Sequence, residues 1–180
     1  MTTLKINTYI SNYIPEFGYS SNESKKFLPI NHPEAKKAAQ KYLDYEDKIY
    51  LNGYIEIKYG DIKFLDEMEE TGDLISTWDD LAWLVINHEK EDEFEVVLLD
   101  NASTFKVIKD GANDSLILDS IHSEEHDGSS TLSIPSEELI TEVKASFKDF
   151  VNFCNSGLIF NEEESEYNNI IESNSKIKDF

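Results

Sequence analysis

Four short stretches of alternating apolar and polar residues follow one another between residues 94 and 134. Successive residues of a strand point to opposite faces, so this alternation indicates strands with one buried face. The breaks between the stretches contain Asn, Ser and Asp-Gly, which are typical of tight turns between antiparallel strands. We therefore predict an antiparallel meander with strands at residues 94–99, 104–108, 115–121 and 131–134.

A long amphipathic helix is predicted directly after the meander, over residues 136–154. Pro135 and two following glutamates are typical of a helix start, and Gly157 of a helix end. One face of this helix carries a wide apolar stripe, which must cover a sheet. Its members are Leu139, Val143, Phe147, Phe150, Val151 and Cys154.

The first half of the chain predicts a mixture of strands and helices. We expect a short strand near residues 4–10, an irregular segment over 11–30, a helix from Asn31 to Leu43, and two strands or one bent strand over 50–65. A helix is predicted from Ser76 to about Glu89, and a last one over 161–180. This order predicts a single α+β domain over residues 1–180, with a mostly antiparallel sheet and helices packed on one face.

Charge is the property in which the chain departs furthest from an average soluble domain. Its formal net charge is -21, from 37 acidic and 16 basic residues, and the acidity belongs to residues 59–180. Every basic residue is lysine, and arginine is the residue best suited to recognising phosphates and bases. Nucleic acid is therefore an unfavourable partner, whereas negative charge raises the encounter rate with a basic protein.

The sequence also predicts where the protein resides. No stretch approaches the roughly 20 apolar residues of a membrane span, and the amino terminus lacks the apolar core of a secretory signal. The lone cysteine, Cys154, falls within the apolar stripe and is predicted to be a small core residue. We expect a cytoplasmic protein with no membrane association.

The sequence offers few signals of catalysis or metal binding. His122, Glu125 and His126 are residue types that bind zinc and lie close together in the sequence. The segment that contains them joins two predicted strands, however, and has the composition of a solvated loop. Asp79 and Asp80 are an acidic pair that a hydrolase could use, yet their place near a predicted helix start favours helix capping. We therefore predict no enzyme activity, no metal and no cofactor.

Two acidic runs flank the predicted helix that contains Trp78 and Trp83. Trp78 lies on the apolar stripe of this helix and is expected in the core, whereas Trp83 lies off the stripe, facing solvent, a second core layer or a partner. If the two acidic runs lie close together in the fold, they form one negative patch that suits a basic partner. The predicted partner-binding residues are Asp66, Glu67, Glu69, Glu70, Trp83, Glu91, Asp92, Glu93 and Glu95.

In layout the chain resembles the immunity proteins of bacterial polymorphic-toxin and contact-dependent growth inhibition systems. The resemblance rests on the acidic last two-thirds, the helix over 76–88 with its Trp-Asp-Asp-Leu-Ala-Trp-Leu run, the strands over 94–134 and the helix over 136–154. It implies a small cytosolic α+β domain that binds a cationic toxin domain, frequently a nuclease. A general adaptor or regulatory module whose acidity serves only solubility, and a hydrolase with converging carboxylates, are the alternatives.

Overall fold

The computed structural model describes residues 3–99, 103–121 and 131–178, which form an α+β fold. The strands are β1 (Leu4–Ser11), β2 (Tyr13–Ile14), β3 (Gly18–Tyr19), β4 (Phe27–Pro29), β5 (Gly53–Tyr59), β6 (Ile62–Leu65), β7 (Glu93–Leu98), β8 (Ser103–Asp110), β9 (Ser115–Ile121) and β10 (Thr131–Pro135). The helices are α1 (Ala35–Tyr45), α2 (Leu74–Asn87), α3 (Ser136–Asn155) and α4 (Tyr167–Lys178).

The strands pair in antiparallel fashion, which confirms the predicted α+β class. The predicted meander is present as a four-stranded sheet with the order β10-β9-β8-β7. A second four-stranded sheet has the order β4-β1-β5-β6, and β2 and β3 form a separate hairpin. The second sheet joins β1 to β5 from Leu4 opposite Tyr59 to Ile10 opposite Gly53. The antiparallel strands are therefore divided between two main sheets.

One cluster of buried apolar side chains includes residues from both main sheets and all four helices. Trp78 of α2 is fully buried there, with its ring centroid 6.0 Å from that of Phe147 and 5.8 Å from that of Phe150 in α3. Its indole Nε1 donates to Thr8 Oγ1 of β1 at 3.2 Å. Cys154 is fully buried on the same face of α3. The predicted apolar stripes of both helices are thus confirmed.

Helix α3 also closes one edge of β1 through polar side chains spaced four residues apart. Glu138 accepts a hydrogen bond from Leu4 N at 2.9 Å, and Glu142 accepts one from Ile6 N at 3.4 Å. Ser146 Oγ donates to the carbonyl of Ile6 at 3.0 Å. Strand β4 pairs with the same strand further along, at residues 9–11. Side chains of a helix therefore satisfy backbone groups that would otherwise template another strand.

The start of α2 differs from the prediction. The helix begins at Leu74, and Asp73 is its N-cap, accepting hydrogen bonds from Ile75 N and Ser76 N at 3.2 Å each. The expected start at Ser76, with Asp79 and Asp80 at the amino end, was wrong because Asp73 supplies a better-placed acceptor. Both aspartates therefore lie inside the helix.

Other boundaries also differ, and α1 begins at Ala35 rather than at Asn31. Residues 11–30 are not simply irregular: they contain β2, β3 and β4, and the Asn12 side chain donates to the carbonyls of Glu23 and Lys25 at 2.9 Å each. The last helix begins at Tyr167 rather than at Asn161, because Asn161 Oδ1 accepts from Glu163 N and forms a turn instead. Among the described residues, no helix is both long and apolar enough to cross a membrane.

Candidate protein-binding surface

The two predicted acidic runs lie at opposite ends of α2. The first run follows β6 and precedes the helix, and the second follows the helix and enters β7. A helix of 14 residues spans about 20 Å, at about 1.5 Å per residue. The ends of the two runs that adjoin α2 are therefore separated by roughly the length of the helix.

The first run is partly occupied by contacts within the chain. Glu69 Oε2 accepts from the backbone N of Asp66 at 3.0 Å, and Asp66 Oδ1 accepts from Met68 N at 3.0 Å, so both carboxylates hold a turn. Glu70 forms a salt bridge of 3.0 Å with Lys26. Glu67 is exposed and forms no salt bridge with any described residue.

The second run lies on the outward face of β7 and beside it. Glu93 and Asp92 form salt bridges of 2.5 Å and 3.2 Å with Lys106 and Lys109. Glu95 is exposed, Glu91 is half-buried, and neither forms a salt bridge within the described ranges. Exposed ion pairs contribute at most about 1 kcal/mol, so cations of a partner can replace these lysines at little cost.

Helix α2 lies along the free edge of β7, and two of its side chains bind that edge. Val97 N donates to Asp80 Oδ2 at 3.0 Å, and Thr77 Oγ1 lies 3.1 Å from the Val97 carbonyl oxygen. At the end of the strand, Leu99 N donates to Thr71 Oγ1 at 3.1 Å. These contacts fix the position of β7 relative to α2, and with it the side chains on the outward face of the strand.

This alignment places Glu95 level with the part of α2 that contains Trp83. Glu95 precedes Val97 by two residues, about 6.6 Å along a strand, which equals about four residues of helix rise. Because β7 runs back along α2, Glu95 lies level with the helix turn after Asp80, and Trp83 occupies that turn. Trp83 is 51% exposed and Val97 is 40% exposed. We call the group Asp80, Trp83, Glu93, Glu95 and Val97 the α2–β7 surface.

The electrostatics of the α2–β7 surface centre on Asp80. The pKa of its carboxyl is raised to about 6, chiefly by burial and also by the nearby charges of Asp79 and Glu95, against the hydrogen bond from Val97 N. Asp79 itself accepts a hydrogen bond of 2.8 Å from Ser173 Oγ of α4. A carboxylate held among like charges at neutral pH is a strong acceptor for a cationic group.

Sequence reasoning missed two members of this surface. The sequence favours helix capping for Asp80, and Asp73 directly before the apolar Leu74 is the signal that moves the cap. Val97 was not singled out, although it alternates with Val96 and Leu98 and so falls on the polar face of β7. Trp83, for which the sequence allows solvent, a second core layer or a partner, is on the outward side of α2.

A concavity lined largely by acidic residues lies near the carboxyl end of α2. It has a volume of about 530 Å³ and is lined by His88, Glu89, Asp92, Asp110 and Asp114, among others. Hydrogen bonds from Asn113 and from Ala112 N lower the pKa of Asp110, so this carboxyl stays ionised and is unsuited to donate a proton. In the hydrolase alternative Asp110 could therefore act as a base but not as an acid.

Other reactive groups in the described part of the chain are engaged or buried. Burial raises the pKa of the Cys154 thiol, which keeps it protonated. His88 Nδ1 lies 2.8 Å from the Val85 carbonyl. Among residues 3–99, 103–121 and 131–178, no three His, Cys, Asp or Glu side chains are arranged to hold a metal ion. The predicted loop with His122 and His126 lies outside these ranges.

Comparison with known protein families, with curated proteins and with solved structures finds no match for this chain. Its function must therefore be argued from its own surfaces.

Proposed function

We propose that the chain is a non-enzymatic immunity protein that neutralises a cationic toxin domain in the cytoplasm by direct binding. The observation that carries the proposal is the exposed indole of Trp83, three residues along α2 from Asp80, whose carboxyl is close enough to Glu95 to feel its charge. Tryptophan is the residue most enriched among interface hot spots, and carboxylates around it select a basic partner. The buried, protonated Cys154 is compatible with a reducing compartment.

The α2–β7 surface is suited to binding because it is rigid. Its helix is anchored in the core through Trp78, and its strand is fixed to the helix through Asp80 and Thr77. A surface that is already ordered loses little conformational entropy when a partner binds. Val97 and Trp83 supply apolar area at the centre, and the glutamates of β7 supply a charged rim.

The net charge of -21 supports a fast encounter with a basic domain. In this proposal the carboxylates of both acidic runs steer the partner, and Trp83 holds it after docking. Steering acts on the association rate and is screened by salt, whereas a buried anchor acts on the dissociation rate. The two contributions can therefore be measured separately.

The experiment measures the binding kinetics of the purified protein and the product of the gene next to its own. We expect the association rate to fall markedly between about 0.01 M and about 0.15 M salt. A double variant with Glu93→Gln and Glu95→Gln should have a lower association rate and a nearly unchanged dissociation rate. Trp83→Ala should raise the dissociation rate about tenfold, the effect of losing about 1.4 kcal/mol at a hot spot.

Matched controls keep this test specific. Glu163→Gln removes an exposed carboxylate from the turn before α4, and Tyr50→Ala removes an exposed aromatic ring outside the α2–β7 surface. Both should bind as the wild type does. Binding that is independent of salt, or equal losses in the control variants, would contradict the proposal and favour acidity that serves only solubility.

A further inference from the structure

The outward face of the β10-β9-β8-β7 sheet carries a lysine directly beside the α2–β7 surface. Lys106 of β8 lies opposite Glu95 of β7 on one side and opposite Asp119 of β9 on the other. Its Nζ forms a salt bridge of 2.5 Å with Glu93, which lies diagonally across from it on β7. Side chains that are opposite or diagonal on neighbouring strands are close enough to interact. The Lys106 ammonium is therefore set among three carboxylates.

All three carboxylates act on this ammonium. The hydrogen bond with Glu93 and the nearby charges of Glu95 and Asp119 raise the pKa of Lys106, so the side chain is charged at neutral pH. The Lys106 side chain is 32% exposed and that of Glu93 is 53% exposed. Solvent and a partner can therefore reach the ammonium and the carboxylate to which it is bonded.

The position of Lys106 matters because the rest of the chain attracts cations of every kind. The net charge is -21, and summed negative charge draws any basic molecule towards the surface. Specificity is a difference between affinities, so selecting one basic partner needs an element that opposes the others. Lys106 is such an element, because it occupies the carboxylates of Glu93 and Glu95 from within the chain. A flexible polycation, which offers little besides charge, must compete with it.

A folded basic domain depends less on this competition. In the proposed function it also contacts Trp83 and Val97, whose exposed apolar area does not involve Lys106. Docking on that area fixes where the cations of the domain lie, whereas a flexible chain can move a cation to any free carboxylate. Lys106 therefore opposes flexible polycations more strongly than it opposes a docked domain.

We infer that Lys106 is a specificity-determining residue of the α2–β7 surface: it competes with flexible polycations for the surrounding carboxylates and leaves the surface selective for a folded basic domain. The inference rests on the proposed function, because it concerns which basic partners that surface accepts. Its first test needs no toxin domain, so the two can fail separately.

That test measures binding of a decalysine peptide to the full-length protein by isothermal titration calorimetry at about 0.05 M salt, where exposed charges are weakly screened. Lys106→Gln should bind the peptide about fivefold more tightly than the wild type, because the carboxylates lose their internal cation. Lys106→Arg keeps the positive charge and should bind the peptide as the wild type does. Lys148→Gln makes the same change in net charge at an exposed position of α3, and should also match the wild type.

The second test titrates the same variants with the product of the neighbouring gene. Lys106→Gln should gain less than about twofold in affinity for this product, so its preference for the product over decalysine falls below that of the wild type. Thermal melts verify that each variant is folded. A role confined to stability would change the melts and leave the binding of decalysine as it is.

Several results would overturn the inference. One is unchanged or weaker binding of decalysine by Lys106→Gln, and another is equal tightening by Lys106→Arg or Lys148→Gln. Equal gains for decalysine and for the gene product would also overturn it, because Lys106 would then lower affinity without selecting. If the gene product does not bind the wild type, the proposed function fails, and the decalysine titrations still decide whether Lys106 opposes flexible polycations.

Discussion

Replacing Asp80 by asparagine should stabilise the protein at neutral pH. The asparagine Oδ1 can still accept the hydrogen bond from Val97 N, so the edge of β7 stays bound to α2. The substitution removes a charge that is partly buried and lies near the charges of Asp79 and Glu95. Asp80 therefore lowers the free energy of unfolding whenever its carboxyl is ionised.

The magnitude follows from the difference in pKa between the folded and unfolded states. The pKa of Asp80 is about 6 in the folded protein and 3.8 in an unperturbed chain. At about 1.4 kcal/mol per unit this gives an upper limit of about 3 kcal/mol, which solvent screening of a half-buried carboxylate reduces to about 1 kcal/mol. The folded state binds the proton more tightly, so this part of the stability falls as pH rises from about 4 to about 6.

The assay compares urea unfolding of the wild type and Asp80→Asn at several pH values. At pH about 7.5 the variant should be more stable by about 1 kcal/mol and melt about 2–4 °C higher. Below pH about 3 the two should be nearly equal, because the wild-type carboxyl is then mostly protonated in both states. Lower stability of Asp80→Asn at pH about 7.5 would refute the reasoning, since the charged hydrogen bond to Val97 N would then outweigh the burial of the charge.

Three further predictions concern the core and the helix start. Trp78→Ala should cost about 3–5 kcal/mol of unfolding free energy, because it removes a fully buried ring. Thr8→Val should cost about 1–3 kcal/mol, because it leaves the indole N–H of Trp78 unpaired. Urea titrations measure both. Asp73→Ala should destabilise the protein by about 2 kcal/mol, and Asp79→Ala by less than about 1 kcal/mol, since only Asp73 caps α2; equal losses would contradict this. Cys154 should resist a thiol reagent in the folded protein and react once urea unfolds it, because it is buried with a raised pKa; fast labelling of the native protein would contradict its burial.

Periodicity predicted those elements whose pattern is strong and local. The alternation in β7 to β10 and the apolar stripe of α3 each identify one face, and the structure buries that face. The division into two sheets was not predictable in the same way. It depends on which strands pair and on how α3 binds the edge of β1 through Glu138 and Glu142, and these contacts join residues more than 130 positions apart.

The candidate surface was predictable only in part. Composition identified the acidic runs and left Trp83 open, but their distance apart depends on the length of α2 and on the direction in which β7 returns. The position of Asp80 beside Glu95 follows from one tertiary hydrogen bond, to Val97 N. The hairpin of β2 and β3 escaped prediction because its strands have two residues each, too few for an alternation to be recognised.

The most direct measurement of neutralisation is the growth of cells that express the neighbouring gene product together with this protein. The wild type should restore growth, and Glu163→Gln should restore it equally. A variant with both Trp83→Ala and Glu95→Lys, folded as judged by its thermal melt, should fail to protect. Equal protection by that double variant would contradict the claim that the α2–β7 surface binds and neutralises a basic toxin domain.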